Sequence, residues 1–177
     1  MDKTQLEQRL RELPLLGWAL TDPGTLEFSW RIRWVCRHEC PMYGKTWACP
    51  PGVGPVAECK EKCQSYVNCL MIATTTEVND INNITETLAT RPGHEQITNQ
   101  VRDIFRELGE EPYVLSTEAC TVCERCAILD GQPCRKPERM HPCVESHGIN
   151  IVPVLEECGL EFQFGQNVVT WVSLLFY

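Results

Sequence analysis

The sequence predicts an α+β (or α/β) fold: a mixed sheet of about four to five strands covered by helices, with metal-binding cysteine loops at strand ends. Three observations predict it. Apolar runs of strand length alternate along the chain with stretches of helical periodicity. The closing run VVTWVSLLFY is apolar on both alternating faces, the pattern of a central strand buried on two sides. Two cysteine-rich stretches lie between such runs, where Pro and Gly break regular structure.

Composition narrows the class. A length of 177 residues suggests one metal-binding domain spanning residues 1–177, with cysteine loops at 36–63 and 118–143. Hydrophobic residues make up 43%, enough for a core that needs no covalent cross-links. The net charge of -8 argues against nucleic acid, because phosphate binding needs an excess of Lys and Arg. Asp2, Lys3 and Glu7 interrupt the N-terminus, so no secretory leader is expected. The longest apolar run, Val168 to Tyr177, falls short of the ~20 residues a membrane span requires. Twelve cysteines without a secretion signal point to a cytoplasmic, reducing setting and to metal ligation.

In chain order, Thr4-Gln5-Leu6-Glu7 is a capping box, and Leu6, Leu10 and Leu13 share a face of the helix it starts. Trp18 to Leu20, the turn Asp22-Pro23-Gly24 and Leu26 to Val35 read as a hairpin. Its second arm alternates Phe28, Trp30, Ile32 and Trp34 with smaller or charged residues and delivers Cys36. Val56 to Tyr66 is a helix, and the nearly uncharged Cys69 to Thr76 is a buried strand. Asn79 or Asp80 caps a helix carrying Ile81, Ile84 and Leu88, which Pro92-Gly93 breaks. A further helix carries Ile97, Val101, Phe105 and Leu108 and stops near Gly109. Pro112 to Ser116 is a short strand leading into the Cys120 region. Pro142 begins a short helix that Gly148 ends, Ile149 to Val152 is extended, and Pro153 starts another helix that Gly159 ends. Cys158, just before that glycine, reads as structural, and Cys69 as core.

The chemistry is concentrated in EACTVCERCAILDGQPCRKP. Cys120, Cys123 and Cys126 are separated by two residues each, and Cys134 follows a loop with Gly131 and Pro133. Three thiolates at equal tight gaps suit a single inorganic centre, as in bacterial iron–sulfur loops. Cys134 is the natural fourth ligand of a [4Fe–4S] cluster; Cys143 or an upstream cysteine is the alternative. A zinc site is the competing reading, although zinc ligands are more often spaced as two separated pairs. Arg125, Arg135, Lys136, Arg139 and His141 flank the run, where cations would favour a reduced, more negative centre.

A second constellation, Cys36, Cys40 and Cys49, ends in Cys49-Pro50-Pro51. It has no obvious fourth thiolate; Cys59, Cys63 and Cys143 are possible extra ligands. Three protein ligands would leave one iron open, as a catalytic metal site requires. Tyr43 and Trp47 are placed to screen this site or simply to pack. The scattered histidines form no hydrolytic motif, and no catalytic residue stands out.

These residues resemble a known family. Cys36…Cys40-Pro41-Met42-Tyr43-Gly44…Cys49-Pro50-Pro51 and Cys120-x-x-Cys123-x-x-Cys126…Cys134-Arg135-Lys136-Pro137 are similar to the pattern of small "predicted metal-binding protein" chains from archaea and anaerobes, a domain of unknown function. Pro142-Cys143-Val144-Glu145…Gly148-Ile149 also resembles it, except that Cys143 stands where that pattern has Ser. The resemblance implies a metal, an iron–sulfur centre, and no particular activity. The expected function is therefore redox: one or two [4Fe–4S] clusters passing electrons to a redox partner protein. The alternatives are an enzyme with an open-coordination cluster and a zinc-stabilised structural or adaptor protein.

Overall fold

A computed structural model describes residues 2–157, 159–160 and 167–177. Among these residues the helices are α1 (Lys3–Leu10), α2 (Trp30–His38), α3 (Val56–Gln64), α4 (Ile84–Glu107) and α5 (Ile151–Glu157). The strands are β1 (Gly17–Thr21), β2 (Cys69–Glu77), β3 (Tyr113–Leu115) and β4 (Val168–Phe176). They form one sheet in the order β1-β2-β4-β3, an α+β architecture. The reading at Cys158 falls outside the described residues.

The expected mixed sheet is antiparallel at every strand pair. β2 and β3, joined through α4, do run in the same direction. β4 lies between them, with Leu175 opposite both Leu70 and Val114, so no parallel pair forms. The near-absence of charge in β2 and β4 follows from burial on both faces. Leu70, Ile72 and Leu175 pack with Leu6 and Leu10 of α1 and Val101, Ile104 and Phe105 of α4. Cys69, Met71, Ala73, Leu174 and Phe176 face the other way, against Cys63, Leu155, Val144 and Ile149. Two cores thus sandwich one sheet.

The second arm of the expected hairpin is instead helix α2. The Ser29 side chain accepts from the Arg31 amide at 3.2 Å and caps it. Trp30, Trp34 and His38 are spaced four apart, so the alternation that suggested a strand also fits one helix face. Trp34 stacks on His38 at 4.2 Å, and Trp30 is 68% exposed, so these aromatics are not core. β1 pairs with β2, and Cys36 rides on a helix rather than at a strand end.

Pro92-Gly93 does not break α4. Its cap is Asn83, not Asn79 or Asp80, and Glu86 reaches back to the Asn79 amide at 2.7 Å. Proline removes one backbone hydrogen bond, but the helix continues past it, with buried anchors on either side. Arg91 Nε donates to Thr117 O at 3.0 Å, and His94 bonds Ser173 Oγ at 2.8 Å. At the N-terminus Asp2, rather than Thr4, caps α1 by accepting from the Thr4 amide at 2.9 Å.

The Pro142 segment makes only a 3-10 turn, Glu145–His147. Gly148 ends it at φ +77°, where a Cβ would stand 3.0 Å from the Ser29 carbonyl oxygen. Glycine is therefore required there both by conformation and by space. α5 begins at Ile151, two residues ahead of Pro153, so the segment read as extended through Val152 is partly helical. Among the described residues no helix is long and apolar enough to cross a membrane.

Candidate metal centre

The loop that leaves β3 carries the first constellation. Glu118 turns the chain with φ 56°, an uncommon conformation for a residue with a side chain. Cys126 then caps a 3-10 turn, Ala127–Asp130, which Gly131 closes in the left-handed conformation at φ 64°. The turn folds the loop back so that Cys134 rejoins the other three. Cys120, Cys123, Cys126 and Cys134 all line one small cavity of 20 Å³, close to the room a single water needs. None of the four is in a disulfide. Burial, reinforced by Cys126 and Cys134, pushes the Cys120 thiol above its ordinary pKa. Four soft sulfur donors around one space are the donor set of zinc or of an iron–sulfur centre.

Buried polar contacts from α4 hold this loop. Arg91 donates to Thr117 O and, from Nη1, to Thr121 Oγ1 at 3.0 Å. Its Nη2 lies 3.6 Å from Glu95. Glu95 in turn accepts from Ser116 Oγ at 2.7 Å and bonds His141 Nδ1 at 2.7 Å. Burial works against the Glu95 anion, but the hydrogen bonds from His141 and Ser116 outweigh it and hold its pKa below the ordinary value. Of the five flanking basic residues, Arg135 and Lys136 line the thiol cavity. Arg125 is engaged by Asp130 at 2.7 Å and His141 by Glu95.

The second constellation gathers from three separate segments. Cys36 lies in α2, Cys40 just beyond it, Cys49 before the Pro50-Pro51 cis peptide, and Cys143 before the 145–147 turn. Together they line a cavity of 320 Å³, with Glu118 and Glu145 on its wall. They too form no disulfide. Burial is the largest reason that the Cys36 pKa rises to about 11, followed by the Cys40 and Glu145 charges, with Arg33 opposing. The Cys143 thiol donates to Glu145 Oε2 at 2.7 Å. Burial first, then the Glu145 carboxylate, raises the Cys143 pKa well above the ordinary value.

Cys143 is thus placed with Cys36, Cys40 and Cys49, and not with the Cys120 group. The other two candidates lie elsewhere. Cys59 donates to Val53 O at 3.3 Å beside Arg33, and Cys63 is fully buried in the core, its pKa pushed to about 12. The two constellations meet at residues 47–49. Trp47 walls the first cavity and donates from Nε1 to Gln132 O at 3.0 Å, while Cys49 lines the second and feels the charges of both Cys40 and Cys120. Sequence reasoning passed over Arg91 and Glu95; one heptad of an apparently broken helix gives no signal that its charges clamp a distant loop. Among the described residues no three His, Cys, Asp or Glu groups converge closely enough to hold a single metal ion.

A family model described as predicted metal-binding protein, a domain of unknown function, matches residues 19–177. Both constellations lie within that span. Neither a curated protein nor a solved structure matches the chain.

Proposed function

The chain belongs to the predicted metal-binding protein family, and from that premise we propose that it is an iron–sulfur protein that passes single electrons to a partner protein. The observation that carries the reading is the arrangement of Cys120, Cys123, Cys126 and Cys134 around one cavity, three of them from a single tightly spaced run. A cubane cluster takes one thiolate at each of four corners, so its ligands face a shared space without converging on one point. That fits four thiols that share the wall of one cavity. Arg135 and Lys136 on its wall would stabilise the more negative, reduced state. When bound, the cluster supplies reversible one-electron transfer; the chain holds it, shields it with Trp47 and sets its electrostatic surroundings.

Cys36, Cys40, Cys49 and Cys143 would hold a second centre next to the first. One observation favours an enzymatic reading of this second site. Cys143 is engaged by Glu145, and 320 Å³ of space adjoins the other three thiols. Three ligands there would leave a position open to a small substrate. The narrowness of the Cys120 cavity favours zinc as the other alternative, a single ion in a structural role.

The deciding experiment is anaerobic purification followed by iron, acid-labile sulfide and zinc analysis. The expected result is a brown protein with about four iron and four sulfide per occupied site. Cys126→Ser should remove about one cluster's worth of iron, and Cys49→Ser another, while Cys63→Ala leaves iron unchanged. Cys143→Ser separates the two readings of the second site: loss of that iron means four thiolates, retention means three. A colourless protein with about one zinc per site and no sulfide overturns the iron–sulfur assignment.

A further inference from the structure

Helix α2 is attached to the molecule by one side only. Cys36 Sγ donates to Glu145 O at 3.8 Å, and Arg33 Nη1 to Gly54 O at 2.8 Å. Ile32, Arg33 and Cys36 fall on that side, since residues three and four apart share a helix face. The opposite side carries Trp30, Arg31, Trp34, Val35, Arg37 and His38, all exposed. No residue of the helix is buried. Trp34 and Val35 keep 47% and 45% of their surface open, beside the still more exposed Trp30. Two tryptophans and a valine on one solvent-facing stripe form an apolar patch that no described residue covers.

The patch is also basic. Residues 28–38 hold Arg31, Arg33 and Arg37 and no Asp or Glu, in a chain whose net charge is -8. Arg33 is engaged by Gly54 O and Cys59 Sγ. Arg31 and Arg37 enter no ion pair among the described residues. The surface that matches this face is therefore acidic, with apolar groups between its charges. Composition and size select a protein. Trp and Arg dominate binding energy at protein interfaces, whereas Lys, which is depleted there, is absent from α2. An anionic membrane is gripped by clusters of about four to eight basic side chains, and DNA by about six to ten phosphate contacts. Arg31 and Arg37 alone are too few for either on a chain of this charge. A second copy docked by two-fold symmetry would set α2 against α2, arginine facing arginine.

We propose that this face of α2 docks an acidic one-electron carrier protein, its carboxylates on Arg31 and Arg37 and its apolar groups against Trp30 and Trp34. The partner's redox character rests on the electron-transfer reading above; the match of charge and apolar surface does not. Val35 and Cys36 line the second thiol cavity, so a protein seated on α2 lies beside that centre. One electron passes from a reduced centre to the oxidised carrier, with no bond made or broken.

The test is a fluorescence-anisotropy titration of dye-labelled carriers with the full chain, purified anaerobically with the metal it carries. The probes are a bacterial ferredoxin and a flavodoxin, both acidic, and cytochrome c is the basic control. Saturable binding of about one acidic carrier per chain is expected, at least about tenfold tighter than cytochrome c. It should weaken at least about tenfold as the ionic strength rises from about 0.01 M to about 0.15 M, where screening shortens from about 30 Å to about 8 Å. Arg31→Glu combined with Arg37→Glu, and separately Trp30→Ala, should each weaken binding about tenfold. Circular dichroism and metal content should stay unchanged; should the double variant unfold, Trp30→Ala decides. Electron transfer is read separately, by mixing the dithionite-reduced protein with each oxidised carrier. Binding without transfer leaves the docking surface in place and removes the electron-carrying role. Five results would each overturn the proposal: no saturable binding of either acidic carrier, equal binding of cytochrome c, unchanged affinity in the folded variants, tighter binding to phosphatidylserine vesicles or duplex DNA, or a dimer of the chain that Trp30→Ala dissolves.

Discussion

His94 sits on α4 at 2% exposure, with Thr74 Oγ1 at 2.8 Å from one ring nitrogen and Ser173 Oγ at 2.8 Å from the other. Both nitrogens are satisfied without a charge. Burial pushes its pKa down to about 4, with Glu95 opposing and Arg91 assisting. An unfolded histidine takes up its proton near pH ~6.5. Between those two values the unfolded chain binds a proton that the folded chain refuses, so stability falls as the pH falls through this window. The loss contributed by this one group is on the order of 3 kcal/mol once the pH reaches about 4. The expected outcome is a thermal midpoint that drops from pH 7 toward pH 4.5 more steeply in the native chain than in His94→Gln. Parallel slopes would show that His94 is not the group responsible. The same residue shows where sequence reasoning stops. A histidine two positions after a proline gives no sign that it is core, because its partners lie 20 and 79 residues away.

At the scale of the element, α4 shows how packing overrides a local signal. Pro92-Gly93 is a strong breaker pair, yet the helix runs from Ile84 to Glu107 because Arg91, His94 and Thr98 are each tied to other parts of the fold. The glycine is then an ordinary helical residue with no special duty. A Cβ added at Gly93 would meet nothing within 4 Å. Gly93→Ala should therefore stabilise the chain by about 1 kcal/mol, chiefly by restricting the unfolded state. Chemical denaturation reads this directly, and a destabilised variant would mean that the helix is interrupted at that point. α2 presents the converse case. Its Trp30 and Trp34 satisfied both a two-residue and a four-residue period, and a short window holds too few apolar positions to separate them. The Ser29 cap was the available signal, and it marks the helix start correctly.

At the scale of the whole molecule, the two cores and the cysteine loops are separate stabilising systems. Neither core includes Cys120, Cys123, Cys126 or Cys134, nor Cys36, Cys40 or Cys49. The sheet therefore does not need a metal in the way a zinc finger does. Removing the metal with a chelator under anaerobic conditions should leave the far-ultraviolet circular dichroism of the sheet intact. Amide exchange should remain slow in β2 and β4 and become fast around residues 122–126. Collapse of protection across the sheet would show that metal binding and global folding are one event. The loop is also held by Arg91, so partial order at Thr117 and Thr121 is expected to survive.

What the sequence determined by itself was whatever depends on neighbours along the chain. Nearly uncharged β2 and β4 marked the centre of an α+β sheet, and the Cys120-x-x-Cys123-x-x-Cys126 spacing set three thiols on one loop. What only the tertiary structure decided was whatever depends on segments far apart in sequence meeting in space. Cys143 joins Cys36, Cys40 and Cys49 because the 145–147 turn packs against α2. β4 enters between β2 and β3 and makes the sheet antiparallel. Local spacing fixes which side chains point together within a turn or a strand. Bringing together groups a hundred residues apart takes the burial of the whole sheet to hold them, and no short pattern encodes that.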